Sequence, residues 1–421
     1  MPTLWIALLC LPLFTFAQDS INITRVGWNG TVCSPENVTV LDNYAFVCAQ
    51  DCGIELFTIH DPSSPILSNA RFDSSSGSME LVVRDGIAYL ATWFRGLVIY
   101  EVHNPESPTL LSTFHGPDGD AQFIYASGLD VSGDYAYVAF QDSGLWIIDI
   151  SNPSSPEFVS SFDTPGSAWD VVVENNIAYV SDTEGGMRII DVSNPAEPEE
   201  IGSFDTPGQT RDIHVEEDMA YLADGGGLRI VGISDGEHPT EVSFLALPGM
   251  NVSVDFKDGY AFIGGQGVRV VELFDPSNPV EVGYYVGNTV GWPIGVTVYG
   301  NYVIASIWGD TDFANFTILD VSHFLPIMGF EPLVLTFSLH PIYPNPFNNT
   351  ANIVFDLPHE VTGKLVVYDV LGRVANTLFD GRLSAGTYQM AFDGNNLSSG
   401  IYFVKLETPD YNSVQKAVLL K

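Results

Sequence analysis

Hydrophobic residues enter this chain in short alternating runs rather than long stripes. Between Trp169 and Gly208 four such runs follow one another: Asp170–Val173, Ile177–Ser181, Met187–Val192 and Glu199–Phe204. Most are rich in β-branched and aromatic residues, and all are bounded by Gly, Pro, Asn or Asp, a pattern that predicts strands. No run of helical period is long enough to build a helical solenoid.

The four-run unit repeats. Gly186–Pro198 reads GMRIIDVSNPAEP, and its relatives start at Gly53, Gly96, Gly144 and Gly267, with a degraded copy at Gly227. Each follows a second signature, such as NYAFV at Asn43 or DYAYV at Asp134. The small residue of that signature falls at Ala45, Ala88, Ala136, Ala178, Ala220, Ala261 and Val303, in steps of 43, 48, 42, 42, 41 and 42 residues. Four strands in each of seven units of that length are the mark of propeller blades. The punctuation has a physical cause: Asn-Pro and Asp-Pro fix a tight turn, because Pro presets φ and Asn or Asp bonds the local backbone. The second Pro, lacking an N–H, suits the start of an outer edge strand.

These residues resemble the LVIVD-repeat family, whose name describes the strand seen here as LWIID, MRIID and LRIVG. The resemblance spans Asn22–Ser322 and implies a β-propeller. It implies little about function, since the fold hosts many activities. The chain ends carry matching defects. Ile23–Trp28 looks like an outer strand without a blade, and the seventh repeat loses its NPxxP turn after Phe316–Ser322. The expectation is that the first completes the last blade.

Composition changes the picture in one respect. Residues 1–337 hold nine basic and 45 acidic residues, and residues 338–421 hold six and seven. The acidity therefore belongs to the propeller, and such a surface excludes nucleic acid as a partner. Met1–Ala17 is apolar and ends in small residues, as in a secretory signal peptide cleaved before Gln18. It is short for a membrane span, and no later segment is long and apolar enough for one. The mature chain keeps Cys33, Cys48 and Cys52, so one thiol is left over. Export permits a disulfide, and Cys33 can reach Cys52 or Cys48 across one face of the first blade.

Residues 323–337, interrupted by Pro and Gly, read as a linker, so the propeller domain is expected over 18–322. The tail, 338–421, changes character: strands are predicted at Ala351–Leu357, Gly363–Val370, Thr387–Asp393, Gly400–Glu407 and Gln415–Lys421, as in a small Ig-like antiparallel sandwich. It resembles the type A sorting domain of the type IX secretion system in YPNPFNNT, VYDVLGR, LSSGIYFVKLE and the terminal KAVLLK. The positions carrying that resemblance include Tyr343, Pro344, Asn345, Pro346, Gly372, Arg373, Gly400, Lys416 and Lys421. It implies a Bacteroidetes-like source, passage through the periplasm, and delivery by the type IX machinery to the outer cell surface or medium.

No nucleophile elbow, phosphate loop, HExxH or EF-hand loop is present. Counting back along each innermost strand, positions seven and five before the small residue are apolar in all copies. Positions eight and six carry Glu80, Asp130, Asp170, Asp212, His214 and Asp255. Near the central channel these form a candidate cation site, with Ca2+ as the possible ion, or the polar floor of a pocket. The structural alternative is that they bond backbone groups between blades. Arg188, Arg229 and Arg269 share one register on third strands and are expected to make interblade salt bridges. No cofactor or metal is called for with certainty. The expected function is a monomeric surface propeller that binds or scaffolds a surface protein or glycan. The alternative is a secreted hydrolase or lyase using polar residues at the channel mouth, with the Asp130, His214 and Asp255 neighbourhood as its centre.

Overall fold

The computed structural model describes residues 20–420 except 32, 51, 71, 73–76, 118–124, 287–291, 309–314, 326–337, 340, 341, 343, 358–360, 384, 385, 396 and 410. The signal segment Met1–Ala17, most of the linker, Tyr343 and Lys421 lie outside the described residues. The chain divides into two compact units at Pro326 and Ile327.

Among the described residues the first unit is all β and contains seven sheets. Blade 4 shows the standard form: Asp170–Glu174 innermost, then Ile177–Ser181, Met187–Asp191 and Glu199–Phe204. The hairpin after each innermost strand is tight. Asp85-Gly86, Asn175-Asn176 and Asp258-Gly259 all have positive φ at both positions, the geometry that matches strand twist. That requirement for Asn, Asp and Gly creates the signature before each small residue. In blade 5 the second and third strands run on as one, Met219–Gly232, around Gly225 and Gly226. Innermost strands follow one another around a closed ring, with Pro35–Leu41 of blade 1 packed against Trp292–Tyr299 of blade 7.

The ring is held by what lies between blades. Seven apolar clusters fill the seven blade interfaces. Between blades 7 and 1, Phe57 stacks on Phe316 at 4.7 Å, and both are fully buried. Each such side chain contributes about 1.5–3 kcal/mol by burial.

A second device repeats at the rim. Every outer strand with a register shift puts a small residue at the bulge. Ser112, Ser160 and Ser243 donate from Oγ to the carbonyls of Pro153, Pro195 and Pro276 in the NPxxP turn of the next blade, each at 2.6 Å. Glycine serves where the backbones come closer: a Cβ on Gly27 would lie 1.9 Å from the Pro62 carbonyl. In these blades the Asn-Pro or Asp-Pro turn is thus the part that the neighbour grips.

The chain ends meet in blade 7. Thr24–Gly30 pairs antiparallel with Asn315–Asp320 and becomes the outer strand of the sheet begun by Trp292–Tyr299. Just before it, Ser20–Ile21 pairs with the outer edge of blade 6. The N-terminal segment therefore spans two blades, and Ile23 is buried in the core between them. Near the start of blade 1, Cys33 and Cys52 form a disulfide with Cα atoms 5.9 Å apart, and Cys48 is free and buried.

The Arg residues on third strands form ion pairs, within blades rather than between them. Arg188 meets Asp182 at 3.4 Å and Asp205 at 3.1 Å, Arg229 meets Asp224 at 2.8 Å and Glu241, and Arg269 meets Glu281. The cause is spacing. A neighbouring strand of the same sheet is about 5 Å away, whereas a packed sheet is about 10 Å away.

The second unit is a sandwich of a three-stranded and a four-stranded sheet around a single core that includes Phe347, Phe355, Leu365, Phe392 and Val404. It contains a strand missing from the sequence reading, Val374–Leu383, at the edge of the larger sheet. An edge strand with little burial carries no clean alternation. Asn345 precedes a cis bond to Pro346 and is tied to the last strand: its Nδ2 donates to the Lys416 carbonyl, and its Oδ1 accepts from the Val418 amide. Gly372 and Arg373 form a turn around Asp369, which accepts from the Leu371 and Arg373 amides. Pro344 is exposed beside this seat, and Gly400 opens the strand Gly400–Glu407.

Candidate functional site

The polar positions of the innermost strands first stitch the ring. In the layer eight before the small residue, the Leu129 amide donates to Glu80 Oε2 at 3.0 Å and the Val254 amide to Asp212 Oδ2 at 2.8 Å. In the layer six before it, the Val173 amide donates to Asp130 Oδ2 and the Val298 amide to Asp255 Oδ2, both at 2.7 Å. Each carboxylate reaches one blade onward, because an acceptor on a short side chain is what the inner edge of the next sheet lacks. The two layers lie about 7 Å apart along the strands.

They differ in what else they face. Asp130 and Asp255 give their second oxygens to the amides of Val131 and Phe256. His214 Nδ1 lies 3.7 Å from Asp255 Oδ1, and its ring sits against Phe256. Asp130 is anchored in blades 3 and 4 and does not join that pair. None of these three residues lines the cavity described next.

Glu80, Asp170 and Asp212 do line it, at one mouth of the channel. Asp170 is 8% exposed. Burial holds the carboxyls of Glu80 and Asp212 well above their usual range, and the negative charge of Asp170 adds to this. Burial also raises Asp170, against hydrogen bonds from Asp212, the Val171 amide and Glu80. The three carboxyls form one buried cluster joined through Asp170, and burial together with their mutual charge favours their protonated forms. Asn37 Nδ2 extends it to blade 1 by donating to Glu80 Oε1 at 3.3 Å.

The cavity has a volume of about 360 Å³. Its wall is one step further out than the sequence reading went. Position nine before the small residue gives Glu36, Met79, Ser127, Trp169, Arg211, Val252 and Ile294, one from each of the seven blades, and all face the cavity. Gln50 and Trp93 come from turns, and Met250 from the end of the strand Thr240–Asn251. Counting the repeat one residue further back exposes this ring, and its signal is variety at a fixed offset: acid, base, indole, thioether and hydroxyl. Arg211 lies 4.9 Å over the Trp169 ring and donates to Gln209 Oε1. Burial pushes Glu36 up to about 7, with Arg211 pulling the other way.

Among the described residues no group of three or more His, Cys, Asp or Glu side chains is placed to hold a metal ion. The oxygens of Glu80 and Asp212 that would face a cation are partly committed to backbone amides and to Asp170. The calcium expectation gains no geometry here.

Seven sheets closed into a ring around a channel, with a cavity at one mouth built from every blade, define a β-propeller with a ligand-sized pocket. The LVIVD repeat profile matches residues 34–70, 77–115, 125–164, 165–206, 207–245 and 248–286, and the chain belongs to the LVIVD repeat family. Blade 7, built from the divergent repeat and the N-terminal strand, lies outside those matches. The secretion system C-terminal sorting domain matches residues 341–420, which marks the chain for export to the cell surface or beyond.

No curated protein matches the chain. Among solved structures, it is similar to PorZ, a bacterial surface component of the type IX secretion system of Porphyromonas gingivalis. The TM-score is 0.50 at 10% identity, over 92% of this chain and 59% of PorZ. It is similar also to the Pan2 WD40 domain of Neurospora crassa, with a TM-score of 0.53 at 11% identity, over 71% of this chain and 95% of that domain. Both likenesses are of fold. Among the described residues no helix is long and apolar enough to cross a membrane.

Proposed function

We propose that this protein is a surface-displayed binding module whose site is the cavity at the channel mouth. One observation carries the reading. All seven blades contribute the same repeat position to a single cavity of about 360 Å³, joining apolar walls to convergent polar groups. That is the make-up of a small-molecule site. The interblade bonds beneath it hold the floor rigid, so little ordering is needed on binding. The sorting tail supplies the delivery, and the acidic surface keeps the displayed propeller soluble.

The test is a thermal-shift screen of the full chain against neutral sugars, amines, amino acids and organic acids. A ligand raises the melting temperature in proportion to ln(1 + [L]/Kd). A true cavity ligand loses its effect on Met250→Trp, which narrows the mouth from an exposed rim position. A screen in which no class of compound shifts the native protein defeats the reading.

One observation favours the hydrolase or lyase alternative: Glu36, in the cavity wall, is pushed up to about 7 by burial. An acid of that strength is about half protonated at neutral pH, so it can both give and take a proton. Turnover of a bound ligand that disappears in Glu36→Gln would establish the enzyme. Binding without turnover leaves the module.

A further inference from the structure

Three hydrogen-bonding atoms of the cavity lining have no partner among the described residues: Trp93 Nε1, Arg211 Nε and Ser253 Oγ. Ser253 is 5% exposed. An indole N–H and a guanidinium N–H only donate, so a ligand that satisfies them must bring acceptors. Beside them stand Glu36, Glu80, Asp170 and Asp212, carboxyl groups that burial pushes toward the protonated form, so that together they can both donate to and accept from whatever fills the space.

These demands sort the ligand classes. An anion answers the free N–H groups but would hold the four carboxyls against ionising and meet whatever charge Asp170 carries. A cation answers the acids but leaves the N–H groups of Trp93 and Arg211 buried without acceptors. A neutral hydroxyl both gives and accepts. The remaining wall is apolar and flat or pliable, from Met79, Trp169 and Met250. Beside the mouth, Trp93 packs edge-on against Tyr125 at 6.1 Å, and Phe94, half exposed, packs against the same ring at 6.4 Å. A ring with hydroxyls at its edge and C–H faces above and below matches both the polar groups and the aromatic rim.

We propose, resting on the binding-module reading, that the cavity takes the end of a neutral carbohydrate. Its hydroxyls accept from Trp93 Nε1 and Arg211 Nε, exchange hydrogen bonds with Ser253 and the carboxyl cluster, and its apolar face lies against the Trp and Met wall. The aromatic rim extends the contact to a second sugar residue.

The test uses the full chain on an array of neutral and anionic glycans. Tryptophan fluorescence titrations follow with the neutral hits, with lysine methyl ester and with glucuronate. Trp93→Phe removes the N–H and keeps the aromatic face, and Ser253→Ala removes the hydroxyl. The expected result is binding of at least one neutral glycan, weakened about tenfold by Trp93→Phe and several-fold by Ser253→Ala. The melting temperature of each free variant confirms that it is folded. Three outcomes overturn the proposal. Binding of the amine or the uronate alone, sensitive to both variants, leaves a cavity site and refutes a neutral carbohydrate as its ligand. Neutral-glycan binding insensitive to both variants puts the sugar elsewhere. No binding in any class defeats the carbohydrate proposal together with the binding-module reading.

Discussion

Glu36→Gln is predicted to stabilise this protein at pH 8 and leave it unchanged at pH 4. Burial in the cavity wall raises the carboxyl from 4.5 to about 7. The folded state therefore holds its proton more tightly than the unfolded chain. Between pH 4.5 and about 7 the folded state binds more protons, so stability falls as pH rises and stays lower above that window. At about 1.4 kcal/mol per unit the full cost of ionising Glu36 at pH 8 is about 3 kcal/mol, less what solvent at the mouth screens away. Glutamine keeps the shape and removes the charge. At the small melting shift per kcal/mol typical of large domains, the variant should melt about 5 °C above the native protein at pH 8. Glu80, Asp170 and Asp212 are raised in the same direction, so both proteins lose stability with rising pH, and only the difference between them isolates Glu36. Differential scanning calorimetry at pH 4, 6 and 8 measures it. A variant less stable than the native protein at pH 8, or a gap that does not change with pH, refutes the burial argument.

Gly202→Ala should cost about 1–3 kcal/mol by denaturant unfolding, because its Cβ would land 1.9 Å from the Gly236 carbonyl in the next blade's turn. Ser160→Ala, losing a 2.6 Å bond to the Pro195 carbonyl, should cost about 1 kcal/mol, and a neutral result for both would remove the rim contact as a source of stability. Removing residues 18–30 should lower the melting of the whole ring, since it opens the edge of Asn315–Asp320 and takes Ile23 from the core between blades 6 and 7; a native melting temperature would contradict this. Deleting 338–421 should leave a folded propeller in the periplasm of a host with type IX secretion, and normal surface display of the truncated chain would refute the role of the tail.

Strands and blades were readable because each blade needs the same turn chemistry. Positive φ at Asn175-Asn176 and the tight turn at Asn194-Pro195 leave marks at a constant spacing. The strand Thr24–Gly30 could be placed from the incomplete ends, but Ser20–Ile21, two residues on the edge of blade 6, is too short to register as a pattern. The partner of Cys33 stayed open because Cys48 and Cys52 flank the same turn. What separates them is side-chain direction: Cys48 points into the core between blades 1 and 2, and Cys52 sits in the turn. At the site, the carboxylates of the eighth position are legible in the sequence, either as channel-facing groups or as interblade acceptors. The seven-residue wall was missed because Met79, Val252 and Ile294 look like core when each strand is read alone. The Arg pairs lie within blades and not between them, a choice that sequence register does not reveal because acidic residues stand at both neighbours.

The most direct measurement of the central claim is hydrogen exchange on the intact chain, with and without an excess of the oligosaccharides released from extracellular polysaccharide. The account predicts added protection in peptides covering 36–41, 79–84, 169–173 and 211–215, together with the loop at Trp93, and none in the outer strands or the sorting domain. Protection confined to the outer strands or to the sorting domain, with the innermost strands unchanged, would contradict it.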